Sequence, residues 1–240
     1  MSEVAQAVEA IRKLRPRRVV LFTGAGVSAD SGIPTFRGNE GLWRNFRAED
    51  LATPQAFERD PVLVWQWYEM RRDIIRNAKP NAAHLAIARL HDAVVITQNV
   101  DGLHKRAGSG DVVELHGNIF RARCVREGTT TLREAPFASL PPHCECGAML
   151  RPDVVWFGEM LSEPAIARAS AAMMGADLLV VVGTSGVVYP AAGLVSLHRG
   201  LSVEINPQAS SLPSACTFAI PARAAEATPP IVDAILEGSE

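Results

Sequence analysis

Four short runs rich in β-branched residues set the architecture of this chain: 18–24 (RVVLFTG), 93–99 (AVVITQN), 177–185 (DLLVVVGTS) and 201–206 (LSVEIN). Each ends in small or polar residues, and runs of this kind suit strands covered on both faces. Helical patterns lie between them, at 82–91, 163–173 and 191–198, and 216–238 reads as a last strand followed by a closing helix. Strands alternating with helices predict a parallel α/β sheet. With 240 residues and 48% apolar side chains, the chain suits one large domain or one domain carrying an inserted module.

Two segments break the alternation. Residues 37–79 hold three of the four tryptophans and read as helical from Pro54 on, while 118–152 hold three of the four cysteines and the pair Pro141-Pro142. Both read as excursions from the sheet that together form a smaller domain. The expected division is 1–36 with 80–117 and 153–240 for the sheet domain, and 37–79 with 118–152 for the small one.

Charge and composition exclude several classes. A net charge of -2 gives no strong field for nucleic acid or an anionic membrane. The basic cluster 12–18 (RKLRPRR) reads as a solvated helix end. No apolar run is long enough to span a bilayer. The first 14 residues read as a surface helix; their acids, Glu3 and Glu9, fit neither a signal nor a transit peptide. The expected address is the cytoplasm. Four clustered cysteines are too few for a secreted disulfide framework, and a charge-balanced chain without long tails fits a monomer.

The stretch 24–29 (GAGVSA) fits G-x-G-x-x-G/A directly after a strand. Glycine makes such a turn tight and lets the backbone approach a pyrophosphate, and a helix N-terminus offers free N–H groups to the anion. A tight turn with no ligand fits the same pattern. In dehydrogenases an acidic residue about 20 positions on ends a second strand. Here 45–54 (NFRAEDLATP) is no strand, so a dinucleotide would be held differently.

Six motifs then stand in register: 24–38 (GAGVSADSGIPTFRG), 97–108 (TQNVDGLHKRAG), 114–118 (ELHGN), 150–159 (LRPDVVWFGE), 183–185 (GTS) and 204–206 (EIN). In order and spacing the chain resembles the sirtuins, NAD-dependent protein lysine deacylases, from about residue 17 to its end. The resemblance implies a Rossmann-like sheet with a smaller domain built from a helical insertion and a Cys-containing, zinc-module-like insertion. It implies that NAD is a co-substrate, broken at its nicotinamide–ribose bond. It places Gly24, Ala25, Gly26 and Ser28 against the pyrophosphate, and Asp30, Phe36 and Arg37 in a loop over nicotinamide and ribose. Gln98, Asn99 and Asp101 would line the nicotinamide pocket. Gly183, Thr184 and Ser185 would hold the adenosine half, and Asn206 its ribose. Val155, Trp156, Phe157, Gly158 and Glu159 would pair with the substrate peptide as an added strand.

The chemistry suits these residue types. The acyl oxygen of a modified lysine is a poor nucleophile, so holding it against the ribose carbon is a positioning problem. A ribose hydroxyl must later lose a proton, which suits an imidazole titrating near neutrality. Of six histidines, His116 matches the general base of the resembled family, while His104 reads as structural.

Tyr68 and Arg71 stand at i and i+3 in 64–74 (VWQWYEMRRDI), on one helix face. In sirtuins this pair resembles the signature of the desuccinylase and demalonylase branch, and Ala52 matches a position kept small there. A guanidinium binds the carboxylate end of a succinyl or malonyl group through two parallel hydrogen bonds. The bland alternative makes Arg71 and Arg72 a solvated face, with Tyr68 packing by its ring. The expected activity is removal of acyl groups from protein lysines, succinyl and malonyl preferred and acetyl also, releasing nicotinamide and O-acyl-ADP-ribose. Mono-ADP-ribosyl transfer and a catalytically silent NAD-binding module are the competing classes.

The chain departs from the resembled family at its zinc module, which there has two Cys-x-x-Cys pairs. Counting from Cys124 the second position is Glu127; counting back from Cys146 the first is His143, with Cys144 beside it. Three arrangements stay open: Cys124, Glu127, His143 and Cys146 around zinc; Cys124, His143, Cys144 and Cys146 around zinc; or no metal, with packing alone. Cys216 reads as an inert core thiol opening a strand.

Overall fold

The computed structural model describes residues 2–34, 47–186, 190–208, 211–212 and 216–238. Its central feature is a six-stranded sheet of β1 (Val19–Thr23), β2 (Val94–Thr97), β3 (Asp111–Glu114), β7 (Leu178–Val182), β8 (Leu201–Ile205) and β9 (Phe218–Ile220). The remaining strands, β4 (Gly117–Cys124), β5 (Thr130–Leu132) and β6 (Leu150–Val154), form a separate antiparallel sheet in the order β5-β4-β6. The large sheet runs β3-β2-β1-β7-β8-β9 with every neighbouring pair parallel. This is the Rossmann order, which reverses direction between β1 and β7.

All five residues of both β1 and β7 are buried, as the β-branched runs predict. Successive side chains point to opposite faces, so Leu21 and Val180 pack with Ile231 and Ile235 on one side, and Phe22 and Val181 with Met173 and Leu194 on the other. The covering elements include α1 (Glu3–Leu14), α5 (Ala82–Ala88), α7 (Glu163–Gly175) and α8 (Ala224–Glu237). Residues 191–198, expected as an ordinary helix, form the 3-10 helix Ala191–Leu197; Gly193 within it weakens α-helix formation. The basic cluster at 12–18 is a set of exposed ion pairs, Arg12 with Glu237 and Lys13 with Glu9 among them.

A second cluster of buried apolar side chains lies beside the large sheet. Helices α2 (Ala48–Leu51), α3 (Pro54–Arg59) and α4 (Pro61–Asn77) pack on the β5-β4-β6 sheet around Trp65, Trp67, Tyr68, Phe120 and Leu150. The α4 helix starts sharply because Asp60 accepts from Leu63 N at 2.9 Å and Pro61 needs no donor of its own. Trp65 ties it to the sheet through Nε1–H donated to Leu150 O at 2.8 Å. Arg72 is fully buried, donating to the carbonyls of Arg133 and Ala135 and pairing with Glu69, so the solvated-face reading fails at this residue. Among the described residues no helix is long and apolar enough to cross a membrane.

Candidate active site

The motif residues converge at the carboxyl ends of β1, β2, β7 and β8, where open α/β sheets bind ligands. They open onto one cleft of about 1230 Å³ whose opposite wall is α4 and residues 154–159. Gly24, Ala25, Gly26, Ser28, Asp30, Gln98, Asn99, Asp101, His116, Gly183, Thr184, Ser185 and Asn206 all line it, as do Ala52, Tyr68, Arg71 and Val155 to Glu159. Phe36 and Arg37 lie outside the described residues. Pockets of about 300–1,000 Å³ suit drug-sized ligands, so this cleft has room for a dinucleotide and a side chain. Ser185 Oγ is buried with no hydrogen-bond partner among the described residues.

The glycine-rich turn differs from the dinucleotide pattern. After β1 comes a seven-residue 3-10 helix, Ala25–Ser31, rather than an α-helix. Three donors of the turn are already engaged: Gly24 N with Val182 O, Gly26 N with Gly183 O at 2.8 Å and Val27 N with Gly24 O. A Cβ on Gly26 would stand 2.7 Å from Gly183 Cα, and Gly183 itself has a φ of +62°. The missing side chains let two turns interlock backbone to backbone, a need that exists without any phosphate.

Beneath this turn lies a buried polar cluster. Ser28 Oγ donates to Asp101 Oδ2 at 2.8 Å and accepts from Asn99 Nδ2 at 3.1 Å. With its proton spent on Asp101, Ser28 Oγ receives His84 Nε2–H at 3.4 Å, while His84 Nδ1 accepts from Asn81 N. Thr23 Oγ1 likewise donates to Thr97 and receives His104 Nε2–H at 3.0 Å. Burial pushes the Asp101 carboxyl above its ordinary range. It pulls the imidazoles down, His84 to about 4 and His104 to about 3.

Both imidazoles are therefore neutral in the folded state and protonate near 6.5 once unfolded. Their stabilising contribution is complete above pH 6.5 and is lost as pH falls from there toward the folded values. Each costs about 1.4 kcal/mol per pH unit in that window. Denaturant midpoints at pH 7.5 and 5.5 should show this loss; equal stability at both would contradict it.

His116 is fixed by Nδ1, 2.8 Å from Gln98 O. A carbonyl only accepts, so Nδ1 carries the proton and Nε2 keeps a free lone pair. Burial lowers the His116 pKa, and the Gln98 bond offsets part of that shift. The arrangement is a neutral imidazole presenting a basic nitrogen in the cleft.

On the opposite wall, Tyr68 is fully buried and its oxygen accepts Trp156 Nε1–H at 2.9 Å. The half-buried Arg71 guanidinium stacks 4.7 Å from the Trp67 ring centre and 5.7 Å from that of Tyr68. Burial lowers its pKa, against the raising influence of Tyr68 and Asp101. Residues 155–159 form a turn rather than a strand. The N–H groups of Val155, Trp156, Phe157 and Glu159 go to His116 O, Glu159 Oε2, Ala52 O and Trp156 O. A peptide lying there would meet carbonyl acceptors more than donors. Asp30 is engaged with Arg223 at the start of α8.

The Sir2 family model matches residues 24–190, the span that supplies most of the cleft lining. The chain belongs to the Sir2 family. It is 51% identical over 227 residues to NAD-dependent protein deacylase 2 of Pyrobaculum aerophilum, covering 91% of each chain. It is 50% identical over 230 residues to the NAD-dependent protein deacylase of Pyrococcus furiosus, covering 90% of this chain and 92% of that one. A solved Sir2 homologue–NAD complex superposes with a TM-score of 0.90 at 42% identity, covering 98% of this chain and 95% of that one. A mutant Sir2 homologue in complex with 2'-O-acetyl ADP ribose superposes equally well, at 0.90 and 42% identity, covering 98% and 97%.

In this Sir2 protein the metal module gathers Cys124, Glu127, Cys144 and Cys146, whose ligand atoms all lie within 4.8 Å of one another. His143 is exposed and pairs by its backbone with Met149, outside the cluster. Both zinc sets containing His143 are thereby corrected: the alternation along the hairpin turns Cys144 inward in its place. The Sγ atoms of Cys124 and Cys146 are 3.6 Å apart, and Cys144 Sγ is 3.8 Å from Glu127 Oε2. Tetrahedral zinc with Zn–S near 2.3 Å requires sulfurs about 3.8 Å apart, so the donors fit the ion. Protein purified without chelator should carry about one zinc per chain. Glu127→Ala should weaken zinc at least ~10-fold, on the scale of losses at metal sites, while His143→Ala leaves it unchanged in competition with a chromophoric chelator. A stoichiometry near zero would leave the module to packing alone.

Sequence reasoning missed several residues at and beneath the cleft of this sirtuin. His84, buried beneath it, carried no motif signal, and its link to Ser28 exists only in the fold. Arg223, Pro190 and Gln208 line the cleft itself. Cys216 stands just before β9 rather than opening it, with its thiol pushed up to about 11 by burial.

Proposed function

We propose that this NAD-dependent protein deacylase prefers lysines whose acyl group ends in a carboxylate, succinyl or malonyl, with acetyl-lysine a weaker substrate. The observation carrying this reading is Arg71 beside Tyr68 on an aromatic wall of the cleft that also contains His116. A cation lodged against aromatic rings gains most from a ligand bringing its own anion and accepting two parallel hydrogen bonds. Ala52 leaves room for the longer chain.

NAD, when bound, supplies the glycosidic carbon from which nicotinamide departs. The residues that would hold it are the turn 24–28, Gln98, Asn99 and Asp101, the 183–185 turn, and Asn206. Asp30, Phe36 and Arg37 belong to the same proposal. His116 Nε2 would take the proton of a ribose hydroxyl, so that the acyl group leaves lysine for ribose. The relative captured with 2'-O-acetyl ADP ribose supports nicotinamide and O-acyl-ADP-ribose as the products. Carbonyls of 155–159 would align the peptide. The two-part division of the chain and a monomeric, cytoplasmic enzyme without nucleic-acid or membrane partners complete the reading.

The test is one peptide carrying acetyl-, malonyl- or succinyl-lysine, assayed with and without NAD. Succinyl and malonyl substrates should exceed acetyl in kcat/KM by ~10-fold or more, the worth of one charge-assisted bond. Acetyl rates equal or higher would overturn the preference. ADP-ribose added to the peptide in place of acyl loss would favour transferase chemistry.

A further inference from the structure

The hydrogen bond between Trp156 and Tyr68 has a direction, and the direction bears on selectivity. An indole N–H can only donate, so at 2.9 Å from Nε1 the Tyr68 oxygen is the acceptor. Acceptance from one side leaves the tyrosine its own proton to direct elsewhere, and Tyr68 borders the cleft. The indole cannot turn away. The residue is 3% exposed, and its ring packs against Phe57 at 5.3 Å and lies under the Arg151 guanidinium at 3.5 Å. Arg151 in turn grips Glu159 through two bonds of 2.6 and 2.9 Å, and Glu159 accepts Trp156 N at 2.8 Å.

We infer that Trp156 is a positioning residue for acyl selection: its N–H commits the Tyr68 hydroxyl to donate into the cleft, so that Tyr68 and Arg71 together present only donors. The inference rests on the acyl preference proposed above and adds its physical origin. A carboxylate is acceptor-only and suits such a wall, whereas a methyl-terminated acyl group offers it no acceptor. Burial raises the Tyr68 pKa above its ordinary value, so the donor persists across the working pH range. The same Trp156 stands in the turn that would align the peptide, which ties acyl reading to peptide seating.

The experiment is a double-mutant cycle on the full chain, read as the ratio of kcat/KM for succinyl-lysine over acetyl-lysine in one peptide. Trp156→Phe should lower the ratio about fivefold, through KM for the succinyl substrate, the scale of one misdirected hydrogen bond. Tyr68→Phe should lower it similarly, and adding Trp156→Phe to Tyr68→Phe should change it no further. A structural role alone would depress both substrates alike and add to Tyr68→Phe. Should Trp156→Phe fail to fold, benzothienylalanine at 156 keeps the indole shape and removes only the N–H, with the same expected ratio. A wild-type ratio at or below one sinks the acyl preference and this inference with it. A wild-type preference that both Trp156 replacements leave intact sinks the inference alone.

Discussion

His116→Ala is expected to cut NAD-dependent deacylation by about 10²–10⁴, the usual worth of a positioned general base, while exchange of labelled nicotinamide into NAD persists. The separation follows from the order of events. Departure of nicotinamide needs the acyl oxygen held in place, a task of the cleft walls. On the proposed mechanism, proton removal from a ribose hydroxyl comes afterwards, and only that step would use Nε2. The Gln98 carbonyl fixes the tautomer, so no other rotation of the ring supplies the same lone pair. The pH profile carries the same signature. Since burial lowers the His116 pKa, the base stays unprotonated at neutral pH, and the acid limb of kcat/KM should fall below 6.5. That limb should vanish in the alanine variant's residual rate. Undiminished deacylation by the variant, or nicotinamide exchange lost in step with deacylation, would remove His116 from the role.

The main lines of this fold were legible because β-branched runs between helical patterns have few ways to bury both faces. Leu21, flanked by Val95 and Val180 in register, sits where such a pattern must put it. The motif residues were legible as a group for a related reason, since strand ends in a parallel sheet point the same way. Contacts between distant segments were not readable. Gly26 and Gly183 stand close enough to leave no room for side chains, a need the linear pattern could not separate from the close approach of a phosphate. Cys144 faces the other thiols and His143 does not because a turn at 144–147 sets the alternation. Arg72 looks like a surface cation in sequence, yet three-dimensional packing supplies it with carbonyls. Trp156 was assigned to the substrate by its backbone, while its side chain turns inward to Tyr68.

Arg71→Met should raise KM for a succinyl-lysine peptide by about 10²-fold, the upper end expected for a hydrogen-bonded charge pair, while acetyl-lysine rates fall far less. Methionine keeps an unbranched apolar stem like that of arginine and removes the cation with its donors. The acyl terminus lies away from the bond that breaks, so the lost contact is made equally in the ground and transition states. Its loss therefore enters through KM rather than kcat. The fold should survive, because replacing a desolvated cation by an apolar chain relieves the cost that lowers the Arg71 pKa. What disappears locally is the stacking on Trp67, worth about 1 kcal/mol, and a thioether restores part of it. Arg71→Lys keeps the charge but not the parallel pair of donors, and should fall between wild type and Met. That gradation separates recognition from packing: a packing role would rank Met above Lys. Equal losses on succinyl and acetyl peptides would mean that Arg71 shapes the cleft without reading the acyl group.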